Sequence, residues 1–172
     1  MSKSLIVYFS HKGENYWNGS MKVLTEGNTE IVAKMIQELT GADLFEVERK
    51  EPYPQEYRAC VAQAREETLS NARPEPRAYP EGMEEYDTIF LGYPNWCGTM
   101  PMVLFTFLEH YDMAGKKICP FCTNEGSKMG RSVQDIRQLC PDSIVEEGLS
   151  VHGAEAADSL NLVQAWVKEV SA

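Results

Sequence analysis

The stretch "LIVYFSHKGENYWNGSMKVLTEGNTE", Leu5 to Glu30, decides how this chain folds. It opens on an apolar run, Leu5 to Phe9, that reads as a strand buried on both faces. It closes on a short polar tripeptide, Gly27-Asn28-Thr29, and Ile31, Val32, Met35, Ile36 and Leu39 follow at helical spacing. A strand and the helix after it are usually joined by a few residues. Here Lys12 to Glu26 intervene. Within them Asn18-Gly19 favours a tight hairpin turn, which sets Tyr16-Trp17 opposite Ser20-Met21. The stretch reads as strand, inserted hairpin-like loop at about 12–26, then helix.

The rest of the chain repeats the strand–helix order. Strands are predicted near Ser4–Ser10, Ala42–Glu48, Asp87–Tyr93, Lys117–Cys122 and Ser143–Leu149. Helices are predicted near Asn28–Thr40, Glu56–Ser70, Met100–Tyr111, Arg131–Leu139 and Ala157–Val170. Gly41 sits where a helix C-cap belongs. The second helix carries a stripe at Tyr57, Cys60, Val61, Ala64 and Thr68, and the last at Leu160, Val163, Trp166, Val167 and Val170. Regular alternation implies a parallel sheet with helices on both faces. "LIVYF" and "TIFLGY" suit its centre, and the more acidic "DLFEVE" and "SIVEEGL" its edges. The expected fold class is therefore α/β, a doubly wound five-stranded parallel sheet, in one domain spanning 1–172. Pro120 conflicts with a central strand, because it removes a ladder donor, and predicts a bulge or the strand's end there. Asn71 to Tyr86, rich in proline and charge, reads as a surface connection.

Composition narrows the function. A chain of 172 residues can bury one full core, and no apolar stretch is long enough to span a bilayer. Met1-Ser2-Lys3-Ser4 leads directly into the first strand-like run, so the expectation is no leader peptide and a cytoplasmic protein. The net charge of −10 argues against nucleic acid as a ligand and permits a basic protein partner. Five scattered cysteines argue against a disulfide framework. Cys119 and Cys122 have redox-pair spacing, but on a strand residues three apart point to opposite faces. No second such pair completes a zinc site. His11, His110 and His152 are scattered, and no nucleophile–base set is expected. Neither catalytic residues nor metal ligands are assigned.

In an open parallel sheet, ligands bind beyond the C-terminal ends of the strands. Three links leave those ends. The first runs from Ser10 to Thr29, and its Asn28-Thr29 sits at a helix start, where free amides and the dipole suit an anion; an ordinary N-cap by Asn28 accounts for the tripeptide equally well. The second, "YPNWCGTMP" (Tyr93 to Pro101), holds Trp96 among turn residues, where it is poorly placed for the core. It can stack on a flat ring system or pack on the next helix. The third, "CTNEGSKMG" (Cys122 to Gly130), offers amides and small side chains for the other side of the same ring.

Taken together, "IVYFS", "GNTE", "GADLFEVE", "DTIFLGYPNWCGTMP", "FTFLE" and "PFCTNEG" resemble the flavodoxin family, in its branch with a "YP-x-W-x-GTMP" loop. The resemblance implies sheet order 2-1-3-4-5 and a bound FMN. By position it implies that Ser10, His11, Asn28 and Thr29 hold the phosphate. Pro94, Asn95, Trp96, Cys97 and Gly98 would form the first flavin loop, and Thr123, Asn124, Glu125 and Gly126 the second. Either Gly13 or Gly27 could be the phosphate-loop glycine, and Gly27 is preferred because the helix starts there. The inserted hairpin would fold over the phosphate or flavin rim, with Asn15 and Tyr16 as contacts, or would decorate the surface.

The cradle lacks an arginine, with Lys12 and His11 its only nearby cations. Acids and an apolar stacking ring disfavour the reduced, anionic flavin and lower its potential. The leading expectation is a low-potential one-electron carrier between redox protein partners with basic docking surfaces. The alternative is an FMN-dependent NAD(P)H:quinone or nitro-compound reductase. A third reading, a binding module that lost its cofactor, is opposed by three dense polar loops at one sheet edge.

Overall fold

The computed structural model describes residues 3–171. The Met1-Ser2 start, on which the no-leader expectation rests, lies outside them. Element order follows the alternation. β1 (Ser4–Tyr8) leads into β2 (Gly13–Trp17) and β3 (Ser20–Leu24), then α1 (Asn28–Thr40), β4 (Asp43–Glu46) and α2 (Tyr57–Ser70). A 3₁₀ turn (Met83–Glu85), β5 (Thr88–Pro94), α3 (Met102–His110), β6 (Lys117–Asn124) and α4 (Ser132–Leu139) come next. β7 (Ile144–Val145), β8 (Leu149–His152), a second 3₁₀ turn (Gly153–Asp158) and α5 (Leu160–Ser171) complete the order. The main sheet is parallel and ordered β4-β1-β5-β6-β7, with β8 also beside β6. Leaving out the β2–β3 hairpin and counting β7 and β8 as one broken strand, this is the order 2-1-3-4-5.

Strand alternation divides the core into two layers. Leu5, Val7, Ile89, Leu91 and Ile118 face one side, against α3 residues such as Leu104 and Phe107, Cys60 of α2 and Ile136 of α4. Ile6, Tyr8, Phe90, Cys119 and Phe121 face the other, against Val32 and Ile36 of α1 and Val163 and Trp166 of α5. Cys119 and Cys122 fall on opposite layers, both fully buried, and burial pushes each thiol up to about 12. They cannot act as one dithiol.

Two expectations are corrected. The fifth strand does not run unbroken over Ser143–Leu149 but is split, and its second half extends to His152. The cause is Pro120. Ile118 pairs with Val145 and Phe121 with Leu149, so three residues on the edge strand face two on β6. Ile118 O accepts the Glu146 N–H, so by strand alternation position 120 also faces that edge. Proline has no N–H to give there, and the extra residue sits on the neighbour, while β6 continues through Pro120. The second correction is at the last helix, which begins at Leu160, after a 3₁₀ turn, rather than at Ala157. Tyr79, within the connection from Asn71 to Tyr86, stacks on His110 with ring centroids 3.8 Å apart.

Candidate functional site: a roofed cleft at the sheet edge

The three links converge. A cavity of about 370 Å³ lies at the C-terminal ends of β1, β5 and β6. It is bordered by His11 and Asn28 from the first link, Pro94, Asn95, Trp96 and Cys97 from the second, and Thr123, Asn124, Glu125 and Ser127 from the third. Ser10, Thr29, Gly98 and Gly126 do not border it. Ser10 and Lys12 instead border a smaller cavity of about 200 Å³, with Glu46, Glu48 and Arg49.

The first link builds an anion-shaped corner. Gly27, before α1, has no side chain to cap the helix, and Ser10 Oγ does so from the strand end by accepting the Glu30 N–H at 3.2 Å. A Cβ on Gly27 would collide with Ser10 Oγ, so glycine lets Ser10 keep its bond to the Glu30 N–H where strand end and helix start meet. Gly13 has another role, opening the hairpin at φ 97° against Gln55. The Thr29 hydroxyl is taken by Thr123 (Oγ1–Oγ1 2.7 Å), which ties the first link to the third. His11 Nε2 donates to Pro54 O at 2.9 Å, and Nδ1 lies 3.4 Å from Asn15 Oδ1. Helix geometry leaves the first amides of α1 for a ligand. Gly153, after β8, closes this corner against Asn28, where a Cβ would meet Asn28 Nδ2.

The second link is a two-residue turn. Trp96 and Thr99 exchange backbone bonds (2.7 and 3.1 Å), with Cys97 at φ 55° and Gly98 at φ 88°. This is a type I′ arrangement, and Cys97 pays a steric penalty that a glycine would not. Asn95 Oδ1 accepts Gly98 N–H at 3.0 Å and its Nδ2 donates to Lys128 O at 2.9 Å, so one amide braces both loops. Asn124 shapes the third link in the same way, accepting Gly126 N–H at 3.0 Å and donating to Ser150 Oγ at 2.9 Å. Trp96 is less free than its turn neighbours imply. Its ring packs edge-on to Phe9 (5.0 Å) and Tyr53 (4.9 Å), half-buried, while it borders the cleft.

Of the two remaining walls, the hairpin follows one of the alternatives the sequence left open, and α2 was not read from it. The hairpin forms a roof: Asn15 and Tyr16 border the cavity. Its base is tied to the start of α2, with Glu14 N–H on Gln55 O (3.0 Å) and Tyr57 N–H on Glu14 Oε1 (2.9 Å). Its tip is tied across the cleft, with Asn18 N–H on Glu125 Oε1 at 2.9 Å. The other oxygen of Glu125 meets His152 Nε2, so this carboxylate fastens the roof as well as bordering the cavity. The second wall is α2, which contributes Tyr57, Cys60, Val61, Ala64 and Arg65. The stripe at 57, 60, 61 and 64 was the available signal, but apolar spacing alone does not tell a core face from a cleft face. Arg65 adds a cation that the reading of Lys12 and His11 as the only nearby ones had omitted.

A doubly wound parallel sheet places its ligand site in such a cleft at its carboxyl edge. The family model described as Flavodoxin matches residues 21–170, and the chain belongs to the flavodoxin family. A Bacteroides eggerthii structure, proposed to be a flavoprotein, is 25% identical with a TM-score of 0.80, covering 100% of this chain and 99% of that one. A second, from Bacteroides uniformis and proposed to be the same, is 26% identical with a TM-score of 0.78, covering 97% and 98%. A Lactobacillus acidophilus flavoprotein in complex with FMN shares the fold at 21% identity and a TM-score of 0.64, over 92% of this chain and 98% of that one. Among curated proteins, none matches the sequence.

Family membership makes FMN the cofactor, and the cleft fits it. The close approach at Gly27, the first amides of α1 and the Asn28–Gly153 corner suit a phosphate. The two loops braced by Asn95 suit a flat ring. No helix among the described residues is long and apolar enough to cross a membrane.

Proposed function

We propose that the protein is an FMN-dependent carrier of single electrons at low potential, exchanging them with basic redox protein partners. In this reading His11, Asn28 and the first amides of α1 hold the phosphate side, with Ser10 and Thr29 fixing that corner from behind. Pro94, Asn95, Trp96, Cys97 and Gly98 hold one side of the ring, and Thr123, Asn124, Glu125 and Gly126 the other. FMN supplies the reversible one- and two-electron chemistry. The observation that carries the reading is the lining of the strand-end loops, which present amides, hydroxyls, an indole and the Glu125 carboxylate, with His11 as their one basic group. Such a lining gives little support to the negative charge a reduced flavin gains, which lowers its potential. Stepwise reduction of the FMN-loaded protein, followed in the visible spectrum at controlled potential, tests this. A stabilised semiquinone and a second step below that of free FMN are expected; no semiquinone and a potential near free FMN would overturn it.

One observation favours a second reading, an NAD(P)H-dependent reductase of quinones or nitro compounds. The roof and the α2 wall add to the cleft a border that no strand-end loop supplies. An NADH:FMN oxidoreductase shares the fold at 10% identity and a TM-score of 0.58, covering 98% of this chain and 88% of that one. Mixing the FMN-loaded protein with NADPH and a quinone separates the two readings. Turnover at the nicotinamide absorbance band without added reductase assigns the enzyme; its absence leaves the carrier.

A further inference from the structure

The α2 wall has a chemistry distinct from that of the strand-end loops. Tyr57, Val61, Ala64 and Arg65 recur at three- and four-residue spacing and so form one stripe of the helix, all of it bordering the cavity. The roof adds Tyr16, whose ring stands 6.2 Å from that of Tyr57 with their planes 38° apart. Tyr16 is 43% exposed while it borders the cavity, so its ring is open to a molecule there. Arg65 is exposed at the end of the stripe. Arg49, Arg73, Arg77 and Arg131 each meet a carboxylate, on Glu67, Glu109, Glu48 and Asp135. Arg65, like Arg58 and Arg137, meets none among the described residues, and of these three it alone borders the cavity.

We propose that this wall is a subsite for a planar aromatic carboxylate, with the ring against Tyr16 and Tyr57 over Val61 and Ala64, and the carboxylate on Arg65. The inference rests on the small-molecule reading above and names the class of molecule it would take. Two tyrosine rings supply flat contact area with few rotamers to freeze. A guanidinium offers paired donors that match a carboxylate. The acidic molecule repels anions at long range, so selection must come from local groups, of which Arg65 is the cation on this wall.

The test uses 4-nitrobenzoate, its neutral isostere 4-nitrobenzamide and the non-planar cyclohexanecarboxylate, titrated calorimetrically into the FMN-loaded protein. The expected result is that 4-nitrobenzoate binds roughly tenfold more tightly than either analogue, the scale of one charge-assisted hydrogen-bonded pair. Arg65→Gln should erase the preference of acid over amide, and Arg65→Lys should restore part of it. Tyr16→Ala should weaken acid and amide alike. Equal binding of acid and amide, binding of neither, a preference that survives Arg65→Gln, or displacement of FMN by 4-nitrobenzoate would each overturn the proposal. FMN content, read from the visible spectrum of the same samples, tests the cofactor reading separately.

Discussion

Gly27 shows how much one missing side chain decides. A Cβ there would collide with Ser10 Oγ and press on His11 O at 3.0 Å, so Ser10 must turn away from the Glu30 N–H or the strand end must move. Gly27→Ala is expected to lower stability by about 1–3 kcal/mol, the range for overpacking, and to weaken FMN retention. Urea denaturation and equilibrium dialysis read the two effects. Glu46, half-buried in β4, is held above its ordinary value of 4.5, first by burial and further by Glu48 and Glu30, with Lys12 and Lys34 opposing. The native state therefore keeps this proton to higher pH than the unfolded chain does. Stability falls as pH rises from the ordinary value through the raised one. Glu46→Gln should raise the urea midpoint at pH 7 and leave it unchanged below about pH 4, where the unfolded carboxyl is also protonated. A gain equal at both pH values would count against the burial argument. The cysteines make a sharper case. Cys97 is exposed and the other four are buried, with Cys60 also pushed up to about 12 and Cys140 to about 11. One fast-reacting thiol is expected in the native protein at pH 8 and five after denaturation, counted with a chromogenic disulfide.

At the scale of elements, the hairpin and the third link act as a pair. Asn18-Gly19 has positive φ at both residues (50° and 91°), as a type I′ turn requires. The turn places its own backbone N–H on Glu125. A two-stranded hairpin is marginal by itself and depends on such ties. Glu125→Ala should speed hydrogen exchange and proteolysis across Gly13–Leu24 while β1 and β5 stay protected. Glu125→Gln keeps an acceptor for Asn18 and should behave closer to the unaltered protein. If both variants leave the hairpin as protected as before, its base contacts at Gln55 and Tyr57 hold it alone. Pro120 illustrates the same coupling: its missing donor is answered not in its own strand but in the neighbour, which breaks between Val145 and Leu149.

For the whole molecule, the charge of −10 bears on encounter rather than on fold. If basic protein partners exchange electrons with this cleft, their association rate should fall as salt rises from about 10 mM to 0.15 M, where the Debye length contracts from about 30 to about 8 Å. Stopped-flow measurement with a basic haem protein as acceptor reads it. A rate indifferent to salt would remove charge from the account of partner choice. Both faces of the sheet are covered, by α1 and α5 on one side and α2, α3 and α4 on the other. The carboxyl edge, where the cleft lies, is where the loops are free to carry chemistry.

The sequence by itself determined the parallel sheet and the three links that leave its carboxyl edge, because strand and helix periodicities are local and a parallel sheet constrains where loops emerge; the order of its strands came from the resemblance to flavodoxins. It also separated Cys119 from Cys122, since a two-residue period places them on opposite faces. Only the tertiary structure decided that α2 walls the cleft, that Glu125 fastens the hairpin, and that Trp96 rests on Phe9 and Tyr53. Those facts depend on residues 18 and 125, or 53 and 96, meeting in space. Nothing in the local pattern of either partner records such a meeting, because a side chain's spacing tells which face it shares and not what lies opposite.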